Sequence, residues 1–66
     1  MRILANGENV ELTEQALLPE LLRKLGAEKR RVAVLINDEV VPAAQQAGRL
    51  LRDGDRVEVL SFAGGG

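Results

Sequence analysis

Residues 32–42 read VAVLINDEVVP and predict a strand, a turn and a short return strand. The run Val32–Ile36 is apolar and rich in β-branched residues, which favours an interior strand of a sheet. The dipeptide Asn37-Asp38 is of the kind that turns a chain. The chain then returns as a short strand, which Pro42 ends because proline has no N–H to donate to a ladder. The middle of the chain therefore belongs to a sheet.

A second hairpin is predicted at the N-terminus. Residues 3–5 are apolar and lead into Asn6-Gly7, a dipeptide that tolerates the two positive φ angles of a type I′ turn. Residues 8–12 then return with apolar residues at alternate positions, as in a half-buried strand.

A short helix is predicted between the two hairpins, over residues 17–26. Pro19 suits a first helical turn, Glu20 complements the positive end of the helix dipole, and Gly26 is a typical left-handed stop. The apolar residues follow the spacing i, i+3, i+4 and i+7 and form one stripe: Leu18, Leu21, Leu22 and Leu25.

The last third of the chain predicts one more strand. Residues 43–51 are weakly helical and interrupted by Gly48, so we expect a turn or a short helix that covers one end of the sheet. A tight turn at residues 53–55 leads into a strand over residues 56–62. Two carboxylates and a glycine at that turn fall far short of a calcium ligand set.

The order of elements is β-β-α-β-β, a turn or short helix, and β. This order predicts an α+β fold with a mixed sheet of about five strands and one main helix on one face.

Alternation along the strands predicts two different sheet faces. The face under the helix forms the core, with Ile3, Val10, Leu12, Leu21, Leu22, Leu25, Val34, Ile36, Val57 and Val59. The other face leaves Leu4, Leu35, Leu60 and Phe62 towards solvent. An exposed apolar patch of this kind often marks a partner surface, although single exposed apolar residues are also ordinary. A register slip by one residue would exchange the two sets.

Composition excludes several classes of function. The chain of 66 residues has no cysteine and no histidine, which removes disulfides, the usual metal sites and the common nucleophile and base pairs. A net charge of −1 and a single aromatic residue do not suit nucleic-acid binding. The cluster Lys29-Arg30-Arg31 reads as a solvated loop rather than a phosphate site. The N-terminal apolar run is too short for a signal peptide or a membrane span, so we expect a soluble, cytoplasmic protein with no membrane or nucleic-acid partner.

The C-terminal residues Ala63, Gly64, Gly65 and Gly66 build no core and cap no helix. We therefore predict one domain over residues 1–62 and a flexible glycine tail over residues 63–66. A tail without side chains can thread a narrow channel and present its carboxylate to another enzyme, with a reach of about 13–14 Å from Phe62. The alternative is an ordinary frayed terminus.

The chain resembles the ThiS family of the β-grasp, or ubiquitin-like, fold. The blocks that carry the resemblance are residues 1–7, 19–22, 36–42 and 53–59, followed by Phe62 and the terminal glycines. They span essentially the whole chain in the order of the family. ThiS proteins are the sulfur carriers of thiamine thiazole biosynthesis.

The resemblance implies a covalent carrier and not an enzyme. A ThiF-type adenylyltransferase would use ATP and Mg²⁺ to adenylate Gly66, so that the carrier itself binds no cofactor or metal. A persulfide sulfur from a donor protein would then displace AMP and leave a thiocarboxylate, which a ThiG-type thiazole synthase would consume. Gly65 and Gly64 would allow unhindered approach, and Ala63 would connect them to the domain.

Other readings remain open. A sulfur carrier of the molybdopterin-synthase type has the same chemistry, but a proline-rich approach typically precedes its Gly-Gly, and residues 60–63 contain no proline. A ubiquitin-like modifier would form isopeptide bonds with lysines. A non-covalent binding module would work without its tail.

Overall fold

A five-stranded mixed sheet forms the frame of the protein. The computed structural model describes residues 1–27 and 31–61. The strands are β1 (Arg2–Ala5), β2 (Glu8–Glu11), β3 (Val32–Ile36), β4 (Glu39–Val41) and β5 (Arg56–Ser61), and the helices are α1 (Leu18–Lys24) and α2 (Ala43–Gln46). The strand order is β2-β1-β5-β3-β4. β5 lies in the middle, parallel to β1 and antiparallel to β3, and the predicted α+β architecture is confirmed.

Both predicted hairpin turns are present and have the geometry that their residues favour. The φ angles are +50° at Asn6 and +84° at Gly7, and +51° at Asn37 and +71° at Asp38. Glycine, asparagine and aspartate are the residues that adopt these left-handed angles most readily. Each two-residue turn fixes the register of its hairpin, which pairs Ala5 with Glu8 and places Asn37 and Asp38 between paired β3 and β4 residues.

Helix α1 covers one face of the sheet. It carries Pro19 in its first turn, buries Leu18, Leu21 and Leu22, and is followed by Gly26 at φ +73°. The prediction that Leu25 belongs to the core is wrong, because its side chain is 37% exposed. Leu25 is the C-cap and its N–H still donates to the Leu21 carbonyl at 3.0 Å, but at this end of the helix its side chain borders an open hollow with Val59 and Ser61.

The core lies between α1 and the sheet. Ile3, Leu12, Val34, Ile36 and Val57 are buried as predicted. Val10 and Val59 are half-buried and pack against this cluster. Further core residues that the sequence analysis did not assign are Ala5, Ala16, Ala27, Val32, Val41 and Leu51.

The segment between β4 and β5 closes one end of the sheet. Its helical part is short, and the Gln46 side-chain amide donates to the carbonyl oxygens of Val32 and Val41 at 3.3 and 3.4 Å. Leu51, farther along, is buried. The expected short helix is therefore confirmed, and a polar side chain makes its contact with the sheet.

The turn before β5 is tied to the β3–β4 hairpin. The buried Asp55 carboxylate accepts the Arg52 N–H at 2.8 Å and the Asn37 side-chain amide at 3.0 Å. The Asn37 amide oxygen in turn accepts the N–H of Arg56, the first residue of β5, at 3.0 Å. The start of β5 is thus fixed by side chains as well as by the ladder.

Two sequence predictions concern loops and membranes. Arg31 is exposed just before β3, while Lys29 and Arg30 of the predicted basic loop lie outside the described residues. Neither of the helices within residues 1–27 and 31–61 is long and apolar enough to cross a membrane.

Candidate functional site

The face of the sheet opposite α1, here called the open face, carries most of the residues that the sequence analysis selected. Side chains alternate along a strand, so the burial of Ile3, Val34 and Val57 directs their neighbours to this face. Leu4 is 36% exposed and Leu60 is 55% exposed. Leu35 is half-buried.

An apolar strip crosses the open face from the centre of the sheet to its β4 edge. Leu60 on β5 pairs with Ala33 on β3, and Leu35 on β3 pairs with Val40 on β4. Val40, at 70%, is the most exposed of the large apolar side chains in the described part of the chain. Leu4 lies on the other side of β5, where it pairs with Arg56. Leu4, Leu35 and Leu60 of the predicted patch therefore share the open face, but Leu4 lies apart from the strip because its partner Arg56 is four residues before Leu60 on β5.

Charged side chains border the apolar strip. Glu58 on β5 pairs with Leu35 on β3, and Arg56 on β5 makes an ion pair with Asp38 at 2.6 Å. Exposed ion pairs contribute little to stability. Across an interface, however, such charges orient a partner and raise its association rate. An apolar centre with a charged margin is the usual composition of a protein-binding surface.

The end of β5 is held on both sides. Its ladder with β3 extends to the pair Val32 and Ser61. On the β1 side the Asn6 side chain accepts the Val59 N–H at 2.8 Å and donates to the Val59 carbonyl at 3.2 Å. Strand β5 therefore carries Leu60 of the open face and is hydrogen-bonded on both sides close to its last residue, Ser61.

The residues with the predicted chemistry lie beyond this point. Phe62, Ala63, Gly64, Gly65 and Gly66 are outside the described residues, so their roles stay predictions. Residues 1–27 and 31–61 contain no group of three acidic or other metal-ligating side chains that could hold a metal ion.

Comparison with known proteins places the chain in a family. The model of the ThiS family matches residues 2–66. The chain belongs to the ThiS family. Its fold agrees with this assignment: a crystal structure of the thiamine biosynthesis protein ThiS from Geobacter metallireducens superposes with a TM-score of 0.80 at 33% identity, and the match covers 100% of both chains.

Two bacterial sulfur carrier proteins match over almost their whole length. The sulfur carrier protein ThiS of Thermus thermophilus is 44% identical over 61 residues, which is 92% of this chain and 94% of that protein. The sulfur carrier protein ThiS of Escherichia coli is 30% identical over 100% of both chains.

A longer protein contains a stretch similar to the same chain. A thiazole synthase of Paramagnetospirillum magneticum is 38% identical over 66 residues, which is 100% of this chain but only 20% of that enzyme. The chain therefore spans one fifth of the length of this relative, in contrast to its full-length match with the carriers.

Two residues of this site were not predicted from the sequence. Val40 was not assigned to a face, although the two-residue turn at Asn37-Asp38 fixes its pairing with Leu35 and thus its side of the sheet. Asn6 was read only as a turn residue. No sequence signal indicated its contact with Val59, which lies 53 positions away.

Proposed function

We propose that this member of the ThiS family is a sulfur carrier whose Gly66 carboxylate is adenylated and then converted to a thiocarboxylate. The thiocarboxylate donates its sulfur for thiazole formation in thiamine biosynthesis. The observation that carries the proposal is the full-length match to sulfur carrier proteins, in a chain whose residues 64–66 are all glycine.

The reaction requires little of the carrier beyond its terminal carboxylate. ATP transfers AMP to the carboxylate with release of pyrophosphate and gives a mixed anhydride. The outer sulfur of a persulfide then displaces AMP from the carbonyl carbon and forms an acyl disulfide. A thiol of the donor or activating partner cleaves its S–S bond, which releases the thiocarboxylate and leaves a disulfide on the partner. The activating partner, and not the carrier, would hold ATP and Mg²⁺. Glycine at Gly65 and Gly64 leaves the approach unhindered, because no side chain flanks the reacting carbonyl.

The open face supplies the binding energy that the tail lacks. Ordering a tail costs on the order of 1–2 kcal/mol per residue in backbone entropy. A Leu60 side chain that is 55% exposed in the free protein gains roughly 1 kcal/mol when a partner covers it. Leu60 and its neighbours along the apolar strip would therefore hold the carrier, while the tail supplies reach and chemistry.

Three partners follow from the proposal: a ThiF-type adenylyltransferase, a persulfide-bearing sulfur donor and a ThiG-type thiazole synthase. The third is supported by the thiazole synthase of Paramagnetospirillum magneticum, which contains a stretch similar to this whole chain. A carrier and the enzyme that consumes its sulfur gain from being joined, because linkage raises their effective concentration. Dependence on ATP and persulfide sulfur places the proposed reaction in the cytoplasm.

Removal of Gly65 and Gly66 tests the proposal. We expect the shortened protein to support no thiazole formation with its partner enzymes, because the reacting carboxylate is displaced by two residues. Its thermal midpoint and far-ultraviolet circular dichroism are expected to match those of the full chain, as residues 63–66 are assigned to no part of the core.

Removal of Gly64 alone is the matched control. It shortens the tail but preserves a terminal Gly-Gly pair, and we expect measurable activity to remain. Full activity of the protein without Gly65 and Gly66 would contradict the carrier mechanism and favour a non-covalent binding module.

A further inference from the structure

Two asparagines hold opposite ends of β5 from equivalent turns. Asn6 and Asn37 are each the first residue of a two-residue hairpin turn and have φ angles of +50° and +51°. The Asn37 side chain binds the N–H of Arg56, where β5 begins. The Asn6 side chain binds Val59, near the end of the strand. An asparagine side chain therefore binds the backbone of β5 near each end of the strand. The end that Asn6 binds is the one nearer the glycine tail in sequence.

The Asn6 carboxamide replaces a peptide group of the sheet. The paired residues of β1 and β5 end at Ala5 and Val57, and the Asn6 backbone N–H still donates to the Val57 carbonyl at 2.9 Å. The chain then turns away into β2. The side-chain amide continues the ladder by accepting from the Val59 N–H at 2.8 Å and donating to the Val59 carbonyl at 3.2 Å.

The Asn6 side chain holds the Val59 backbone on the edge of β5 that faces away from β3. The N–H and C=O of one strand residue point to the same side of the strand, and those of Val59 point towards Asn6. Val59 is followed by Leu60 of the apolar strip and by Ser61, after which the chain enters residues 62–66. The backbone at Val59 therefore helps to set the positions of Leu60 and of Ser61, the last residue of β5.

We propose that Asn6 is a positioning residue for sulfur transfer, which acts by holding the end of β5 so that Leu60 and the glycine tail meet the activating partner together. This inference rests on the proposed function. Without the carboxamide, only the ladder with β3 holds the end of β5, so the strand end is less ordered before the partner binds, and the cost of ordering it appears as weaker binding. Once the complex has formed, the partner itself holds the strand and the chemical step proceeds normally.

The test compares Asn6→Gly with Asn37→Gly. Glycine adopts the positive φ angle of both turns without strain, so each variant loses its side-chain bonds and keeps its hairpin. Both variants remove bonds to the backbone of β5. Asn37→Gly also loses its bond to Asp55, which makes it the more demanding control for general loss of stability.

Hydrogen exchange gives a readout that does not depend on activity. We expect the Val59 amide to exchange roughly tenfold faster in Asn6→Gly than in the original protein, as befits the loss of the order of one net hydrogen bond. In Asn37→Gly we expect the Val59 amide to exchange within about twofold of the original rate.

Steady-state kinetics with a ThiF-type enzyme, ATP and a sulfur source give the second readout. We expect Asn6→Gly to raise the KM for the carrier roughly tenfold with kcat within about twofold, and Asn37→Gly to leave KM within about twofold. Asn6→Asp keeps the acceptor for the Val59 N–H and loses the donor to its carbonyl, so its KM is expected to lie between those of the original protein and Asn6→Gly.

Equal KM values for Asn6→Gly and Asn37→Gly, or an unchanged exchange rate at Val59 in Asn6→Gly, would overturn the positioning role. Either result counts against the positioning role only if the original protein forms thiocarboxylate in the same assay. Failure of the original protein to form any thiocarboxylate with an active enzyme would instead overturn the proposed function, and with it the reaction assigned to Asn6.

Discussion

Leu60 is the residue on which partner binding is expected to depend most among those that the structure describes. It is 55% exposed, so a change to threonine, which suits a strand, is expected to lower the free energy of unfolding by about 1 kcal/mol or less. Loss of its contact with the partner is expected to raise the Kd for a ThiF-type enzyme about fivefold to tenfold. Isothermal titration calorimetry measures this change directly.

Leu50→Thr is the control for Leu60→Thr. Leu50 is 46% exposed and lies outside the sheet, in an isolated bridge with Leu17. We expect the Leu50→Thr protein to bind the ThiF-type enzyme with the same Kd as the original protein. Equal losses of affinity in the two variants would show that the open face is not the docking surface.

At the residue scale, the sequence predicted the face of the sheet on which a side chain lies better than it predicted which residues are hydrogen-bonded to each other. Alternation assigned Leu4 and Leu60 correctly to the open face, because strand periodicity is a local property. The bonds between Asn6 and Val59 join positions 53 residues apart, and only the strand order brings them together. A turn asparagine gives no local signal of which strand its side chain will bind.

At the scale of elements, α1 shows where periodicity fails. Leu21 is fully buried and Leu25 is 37% exposed, although both occupy the predicted apolar stripe. We expect Leu21→Ala to lower the free energy of unfolding by about 2–5 kcal/mol and Leu25→Ala to lower it by less than about 1 kcal/mol. Urea unfolding of the two variants measures the difference, and equal losses would contradict the burial described for the helix.

The reason for the error lies in the end of the helix. Leu25 has helical backbone angles and its N–H donates to the Leu21 carbonyl at 3.0 Å, so the spacing i+7 still applies to it. Gly26 was correctly expected to stop the helix. Leu25 lies in the last turn and borders an open hollow with Val59 and Ser61, and spacing along a helix does not indicate how far its last turn is covered. The two-residue turns, by contrast, fixed the hairpin registers completely from local sequence.

At the scale of the whole molecule, the decisive feature is that the last strand is the central one. β5 lies between β1 and β3, a parallel and long-range arrangement that strand patterns alone did not predict. As a result the strand formed by residues 56–61 is paired with strands on both sides in the middle of the sheet. Under the proposed function, the carboxylate at Gly66 would be delivered by a tail that follows this central strand.

The central claim concerns Gly66, and intact mass spectrometry tests it most directly. The protein is incubated with ATP, Mg²⁺, a ThiF-type activating enzyme and a sulfur source, and a sample without ATP serves as the control. We predict an ATP-dependent gain equal to one sulfur replacing one oxygen, located at Gly66 by fragmentation. An unchanged mass, in the presence of a partner that adenylates an established carrier, would contradict the assignment of this chain as a sulfur carrier.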